Sequence, residues 1–348
     1  MQIYNTEKIE NPNTEEYVLN YKHKAVLYDG NKIIFHLSFF LNSDGINAFA
    51  EPNIDTCVIK IIKDNSYREF YIMDMTEPVC PYLENIIKFL NICKSYNKSV
   101  TILTGQRSSD ITDLYKLNGA EIIFFPLFNL MSHNREHVYN SFYKENTLEK
   151  KYLTLNRAYK PMRESLYNYL KNNDLLKFGE YSFKFQNVSS FNENIDKNNA
   201  WAHAKSIISN LDFNKKCFLN FVIETINEDY YNFDGKKIKE FFSSEKTYKA
   251  LYSGLPFILI GESNIINTLK SYGIKTFSDY WDEGYDSFSN RNGRFEGACN
   301  VLKNICYESD SRLREIYNDT EFIHKHNVEL VDSILNNNLK ILKEKIYL

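Results

Sequence analysis

Residues 241–277, FFSSEKTYKALYSGLPFILIGESNIINTLKSYGIKTF, constrain the fold more than any other segment of this chain. They read as loop, helix, buried strand, helix and strand. Ser244 stands as an N-cap, which places Glu245 and Lys246 in a first helical turn, where backbone N–H groups lack helical partners. Gly254 stops that helix, and Pro256 lies just beyond it. Residues 257–260 are a short apolar run closed by Gly261, the pattern of a central parallel strand. Ser263 is expected to cap a second helix that Gly273 ends. A helix start at the edge of a parallel sheet is an anion site, and a lysine there adds a full charge to the helix dipole. The segment reads as the phosphate and sugar end of a nucleotide-sugar pocket.

The rest of the chain supplies a matching rhythm. Strand-like runs cover residues 24–28, 32–41, 57–62 and 70–75, with Asp-Gly and Asn turns between the early ones. A helix follows Pro81, with Leu83, Ile86, Ile87, Leu90 and Cys93 on one stripe. Residues 99–104 are a strand, 109–117 a helix and 121–125 a strand, so this half alternates as a doubly wound parallel sheet does. Polar residues 141–150 mark a crossing. A second α/β rhythm then runs through strands at 151–155, 181–185 and 217–224, with helices after Pro161 and at 201–211. From Arg291 onward the chain is helical. The expected division is an N-terminal α/β domain over 1–145, a nucleotide-sugar-binding α/β domain over 151–320 and a helical tail over 321–348.

Composition narrows the class. At 348 residues the chain is long enough for two domains with their own cores. A net charge of −3 supplies no global basic field of the kind nucleic-acid binding draws on. No apolar run approaches the roughly 18 residues of a membrane helix, and the first ten residues lack the apolar core of a signal peptide. The expected setting is cytoplasmic. Cys57, Cys80, Cys93, Cys217, Cys299 and Cys306 are scattered without C-x-x-C spacing, which suits reduced, buried thiols. Tyr (26) and Phe (25) are abundant enough that codon bias of an A/T-rich genome explains the bulk better than a stacking platform does.

Several residues are placed where chemistry would need them. Lys246 would neutralise a diphosphate whose charge grows as the sugar leaves, and Glu245 would hold ribose or sugar hydroxyls; Lys249 follows one turn on. The alternative for this pair is a solvated first turn. Asn156, Arg157, Lys160 and Arg163 form a cationic turn between strand and helix, suited to phosphate oxygens or else ordinary surface charge. Positive residues at a helix start oppose its dipole, so an anionic partner would relieve a local conflict. Glu224 ends an apolar run and is either a ribose ligand or a satisfied strand-end carboxylate. If the first reading holds, Lys246, Arg157 and Glu224 converge. A base near an acceptor hydroxyl is expected from Asp74 or Glu77, then His36, His133 or His137. Asp279, Asp282, Glu283 and Asp286 cluster beside Tyr285, as a metal site or a solvated acidic loop. His324 and His326 are two apart on a helix and point away from one another.

The motifs carry a family resemblance. Glu245-Lys246-x-Tyr248-Lys249-Ala250-Leu251 followed by Gly254-Leu-Pro-Phe-Ile-Leu-Ile-Gly261 resembles the donor-binding segment of GT-B glycosyltransferases, nearest to the fucosyltransferase-like pattern. Lys275-Thr276-Phe277, Trp281-Asp-Glu-Gly-Tyr-Asp286, and Leu155-Asn156-Arg157 with Lys160-Pro161-x-Arg163 resemble phage- and virus-type members of that group. The resemblance covers the C-terminal half. It implies an α/β fold of two Rossmann-like doubly wound domains facing a cleft. It also implies transfer of a sugar from a GDP- or UDP-linked donor to a hydroxyl on a modified DNA base, a glycan or a small molecule. No Asp-x-Asp occurs, which fits an enzyme that needs no metal or other cofactor and stabilises its leaving group with cationic side chains. A non-catalytic interaction protein on a degenerate GT-B scaffold and a nucleotide-sugar epimerase are the competing readings. G-x-S-x-G, G-x-x-x-x-G-K-[ST], H-E-x-x-H and G-x-G-x-x-G are all missing, so hydrolase-elbow, P-loop, zincin and dinucleotide readings lose their usual support.

Overall fold

A computed structural model describes residues 26–29, 32–36, 62–63, 68–74, 83–104, 110–124, 146–156, 159–190, 215–224, 230–231, 237–238 and 244–347. The molecule is α/β with sheets rich in parallel pairs. It divides into two compact units: Met1–Leu127 with Tyr230–Phe242 and Leu335–Leu348, and Phe128–Asp229 with Ser243–Ile334.

The first unit holds a five-stranded sheet in sequential order: β1 (Val26–Asp29), β2 (Lys32–His36), β3 (Glu69–Asp74), β4 (Ser99–Thr104) and β5 (Ala120–Phe124). β1 and β2 are antiparallel; the remaining neighbours are parallel. Helix α1 (Leu83–Ser95) joins β3 to β4, and α2 (Asp110–Leu117) joins β4 to β5. The apolar stripe of α1 is buried at Ile86, Phe89, Leu90 and Cys93, and Phe89 meets Phe70 of β3 edge to face. Ile87 is only half-buried. Ile62 and Lys63 are helical; the rest of the strand expected over 57–62 lies outside the described residues. The apolar pattern there is too short to separate the two periods.

The second unit holds β6 (Lys150–Asn156), α3 (Pro161–Asn172), β7 (Gly179–Phe183), β8 (Val188–Ser189) and β9 (Cys217–Ile223). A two-residue ladder of β10 (Tyr230–Tyr231) and β11 (Lys237–Ile238) follows in the chain and belongs to the first unit. Then come α4 (Glu245–Tyr252), β12 (Phe257–Ile260), α5 (Ile265–Ser271), α6 (Arg291–Tyr307), α7 (Asp310–Asp319) and α8 (Glu321–Tyr347). The sheet order is β12-β9-β6-β7-β8, parallel except for the β7–β8 edge. All seven residues of β9 and all four of β12 are buried. That accounts for their largely apolar sequence, broken only at Asn220 of β9, since a parallel strand covered on both faces has no polar side to show.

The chain leaves β6 through α3 for β7 on one side, and leaves β9 through α4 for β12 on the other. Neighbours β6 and β9 are therefore the point where the strand order reverses, and the crevice outside their carboxyl ends is where open α/β sheets hold ligands. In the first unit β2 to β5 advance in one direction, so no reversal occurs among its described strands.

One expected strand is absent. Residues 274–277 form no strand, and the backbones of Lys275 and Phe277 bond to side chains. The Asn327 amide donates to the Lys275 carbonyl and accepts from the Lys275 N–H, both at 2.8 Å, and the Phe277 N–H donates to Glu283 at 2.9 Å. The helix stops at Gly254 (φ 68°) and Gly273 (φ 87°) stand as read, in the left-handed region that glycine adopts without strain.

Candidate functional site

Four strand ends come level at the carboxyl edge of the second sheet. Phe183 pairs with Asn156, Ile260 pairs with Ile223, and the Leu153–Asn220 register carries Asn156 level with Ile223. Loops leaving this edge carry Lys160, Glu224 and the start of α4.

Glu224 is fully buried. Its backbone continues the β9–β12 ladder through an N–H bond to the Ile260 carbonyl at 2.8 Å. Its carboxylate turns onto the first turn of α4. Oε1 accepts from the Ser244 N–H at 3.0 Å, the Thr247 N–H at 3.3 Å and the Thr247 hydroxyl, while Oε2 accepts from the Ser244 hydroxyl. Glu224 thus does from twenty residues away what the glutamate of a capping box does locally. Negative charge placed on the helix dipole and on orphan N–H groups is favourable, which offsets the burial of the carboxylate.

Lys246 closes the other side of Ser244. Its backbone N–H and its Nζ each donate to Ser244 Oγ at 3.2 Å. The Ser244 hydroxyl donates once and accepts twice, which fills its capacity. Lys246 and Glu224 therefore meet through one hydroxyl, with the lysine half-buried. The expected open anion site is altered in one respect: the amides of Ser244, Lys246 and Thr247 are engaged by protein oxygens.

α4 is anchored at its far end as well. The Tyr252 hydroxyl donates to Asp332 of α8 at 2.7 Å. Ser253 accepts from Asn220 at 2.7 Å and donates to the Ala250 carbonyl at 2.8 Å. Both ends of the helix that carries Lys246 are thus tied to neighbouring elements.

The cationic turn after β6 is split. Asn156 is buried and its amide donates to Thr154 at 3.1 Å. Arg163 is buried in α3. Lys160 is half-buried in extended backbone ahead of α3, and its carbonyl accepts from Arg163 N and Glu164 N. Lys249 is half-buried on α4. Arg157 and the Glu245 side chain lie outside the described residues. Asp74 is the last residue of β3, paired with Thr104; its side chain lies outside the described residues, as do Glu77, His133 and His137. His36 ends β2 opposite Met73.

The acidic cluster is taken apart by the fold. Asp286 is buried and its Oδ2 accepts from the Ile266 and Asn267 N–H groups at 2.9 and 3.3 Å. It caps α5, whose N-cap is Asn264 with no side-chain cap bond of its own rather than Ser263. Burial pushes the Asp286 carboxyl up to about 6, against its two N–H donors and Arg294, which favour the charged form. Glu283 holds Phe277 N, Thr276 and Lys270. Asp279 and Asp282 are exposed. Among the described residues no group of three or more His, Cys, Asp or Glu is placed to hold a metal ion. Cys93, Cys217, Cys299 and Cys306 are free and buried. His324 bonds Thr320 and His326 the Gly273 carbonyl, and burial pushes the His324 imidazole down to about 3.

Two residues escaped the sequence reading. Thr247, third in α4, completes the grip on Glu224; its signal was a small hydroxyl three residues after an N-cap. Arg294 is buried and donates to the carbonyls of Gly261, Phe288 and Ser289 at 3.2, 2.7 and 3.0 Å. It fastens the end of β12 to the loop that carries Asp286. An arginine four residues after Asn290, the N-cap of α6, looks like any charged first-turn residue.

A scan of protein-family models, a search of curated proteins and a search of solved structures each gave no match to this chain. No described helix is long and apolar enough to cross a membrane.

Proposed function

We propose that this chain is a glycosyltransferase of the two-domain GT-B type, moving a sugar from a nucleotide-sugar donor to a hydroxyl acceptor. The observation that carries the reading is the Glu224–Ser244–Lys246 assembly beside the reversal between β6 and β9. It holds a cationic side chain where open α/β sheets bind nucleotides. In this reading Lys246 contacts the diphosphate and stabilises its growing charge as the glycosidic bond breaks. Glu224 becomes a positioning residue, because its oxygens hold Ser244 and Thr247. Lys160 and Lys249 add positive charge around the donor, Glu245 and Arg157 line it, and Asn156 and Arg163 support the turn from within. Asp74 remains the proposed base for the acceptor hydroxyl. No metal or other cofactor enters this reading.

Radiolabelled GDP- and UDP-sugars, each incubated with hydroxymethylated DNA, oligosaccharides and small alcohols, test the proposal. Label transferred to one acceptor class supports it. Isomerised sugar from donor alone replaces it with an epimerase, and intact donor in every arm contradicts it.

A further inference from the structure

Tyr159 is one of eight large hydrophobic or aromatic side chains exposed among the described residues, at 57%. It follows β6 at the carboxyl edge of the second sheet, and its ring is held at two points. Phe185, just beyond β7, meets it edge to face at 5.8 Å and 78°. The phenol donates to Glu164 Oε2 of α3 at 3.1 Å. Phe185 in turn packs edge to face on Phe183, which is fully buried. The exposed ring is thus the outer end of an aromatic series that begins in the core. A ring fixed at its rim and at its hydroxyl, yet open to solvent, loses little conformational freedom when a planar partner stacks on it.

Its position matches a ligand of definite length. Lys246 is tied through Ser244 to Glu224 at the end of β9, and Tyr159 packs on Phe185 just beyond the end of β7, with β6 between the two strands. Two strand spacings separate β9 from β7, roughly 10 Å. A nucleoside diphosphate with its phosphates at Lys246 places its base about that far away.

Building on the functional reading above, we propose that Tyr159 is the stacking platform for the nucleobase of a nucleoside diphosphate lying across the carboxyl ends of β9, β6 and β7. Equilibrium dialysis of the full chain with ADP, CDP, GDP, UDP and inorganic pyrophosphate tests this, using wild type, Tyr159→Ala, Tyr159→Phe and Tyr159→Trp. Tyr159→Ala should weaken the best-bound nucleotide roughly tenfold, as loss of one base–aromatic stack does, and leave pyrophosphate affinity unchanged. Tyr159→Phe and Tyr159→Trp should hold near the wild-type value. Equal nucleotide affinity in wild type and Tyr159→Ala overturns the platform alone, as does an equal loss of pyrophosphate. Failure of the wild type to bind any of the four nucleotides overturns the functional reading along with it.

Discussion

Glu224 and Ser244 are joined twice: the serine N–H donates to one carboxylate oxygen and the serine hydroxyl to the other. This pair of hydrogen bonds between a strand end and a helix start fixes where α4 begins, and so where Lys246 stands. The same device recurs one strand along, where buried Asp286 caps α5. In both places a carboxylate from another part of the chain occupies the position a free anion would take. Under the proposed function, binding of a phosphate at this edge would rest on side-chain cations rather than on these backbone amides.

Removing the first of these caps should be costly. Glu224→Ala strips hydrogen-bond acceptors from two buried N–H groups and two hydroxyls, and should lower stability by about 3 kcal/mol or more. Glu224→Gln keeps the shape and loses the charge, for a smaller loss of about 1–2 kcal/mol. Urea denaturation followed by circular dichroism reads both; a loss within about 0.5 kcal/mol for the alanine variant would show that the helix caps itself.

Lys246→Ala should behave in the opposite way. A half-buried first-turn lysine opposes the helix dipole, so stability should change by less than about 1 kcal/mol. Turnover should fall about 10²-fold or more if the ammonium stabilises the leaving diphosphate. Paired melting and rate measurements separate the two effects, and an unfolded variant would contradict the assignment.

Asp286 gives the chain a pH dependence of known sign. Its carboxyl titrates near 6 when folded and at about 3.9 in an unfolded chain, so the folded state holds the proton more tightly. The stability this contributes is present below about pH 4 and is lost as pH rises through 6. Wild-type urea midpoints should fall across that window relative to those of Asp286→Asn. Parallel curves would show that the buried carboxyl is not shifted.

Asn327→Ala tests the segment that read as a strand. It removes both side-chain bonds to the Lys275 backbone, leaving an N–H and a carbonyl without those partners. A loss of about 2–3 kcal/mol is expected; hydrogen exchange at Lys275 should speed up at the same time.

Local pattern carried far in this chain. β4 lies over the residues that alternation and apolar character mark, and α4 begins at its serine cap and ends near Gly254. Partnerships across long separations were not legible. Residues 274–277 are apolar enough for a strand, but whether an extended segment pairs with a strand or with an asparagine 52 residues on is decided by tertiary packing. Glu224 looked equally like a ligand and a satisfied strand end, because its partners Ser244 and Thr247 lie across a long connection. Asp286 and Arg294 belong to the same class. Their chemistry depends on Ile266, Gly261 and Phe288, which no local period links to them.

The most direct measurement is calorimetric titration of the full chain and its Lys246→Ala variant with GDP and UDP. Binding of at least one nucleotide by the wild type below millimolar concentration, weakened about tenfold or more in the variant at unchanged melting temperature, is the predicted result. No heat of binding from either nucleotide at millimolar concentration, or equal affinity in both proteins, would contradict a nucleotide site built around Lys246.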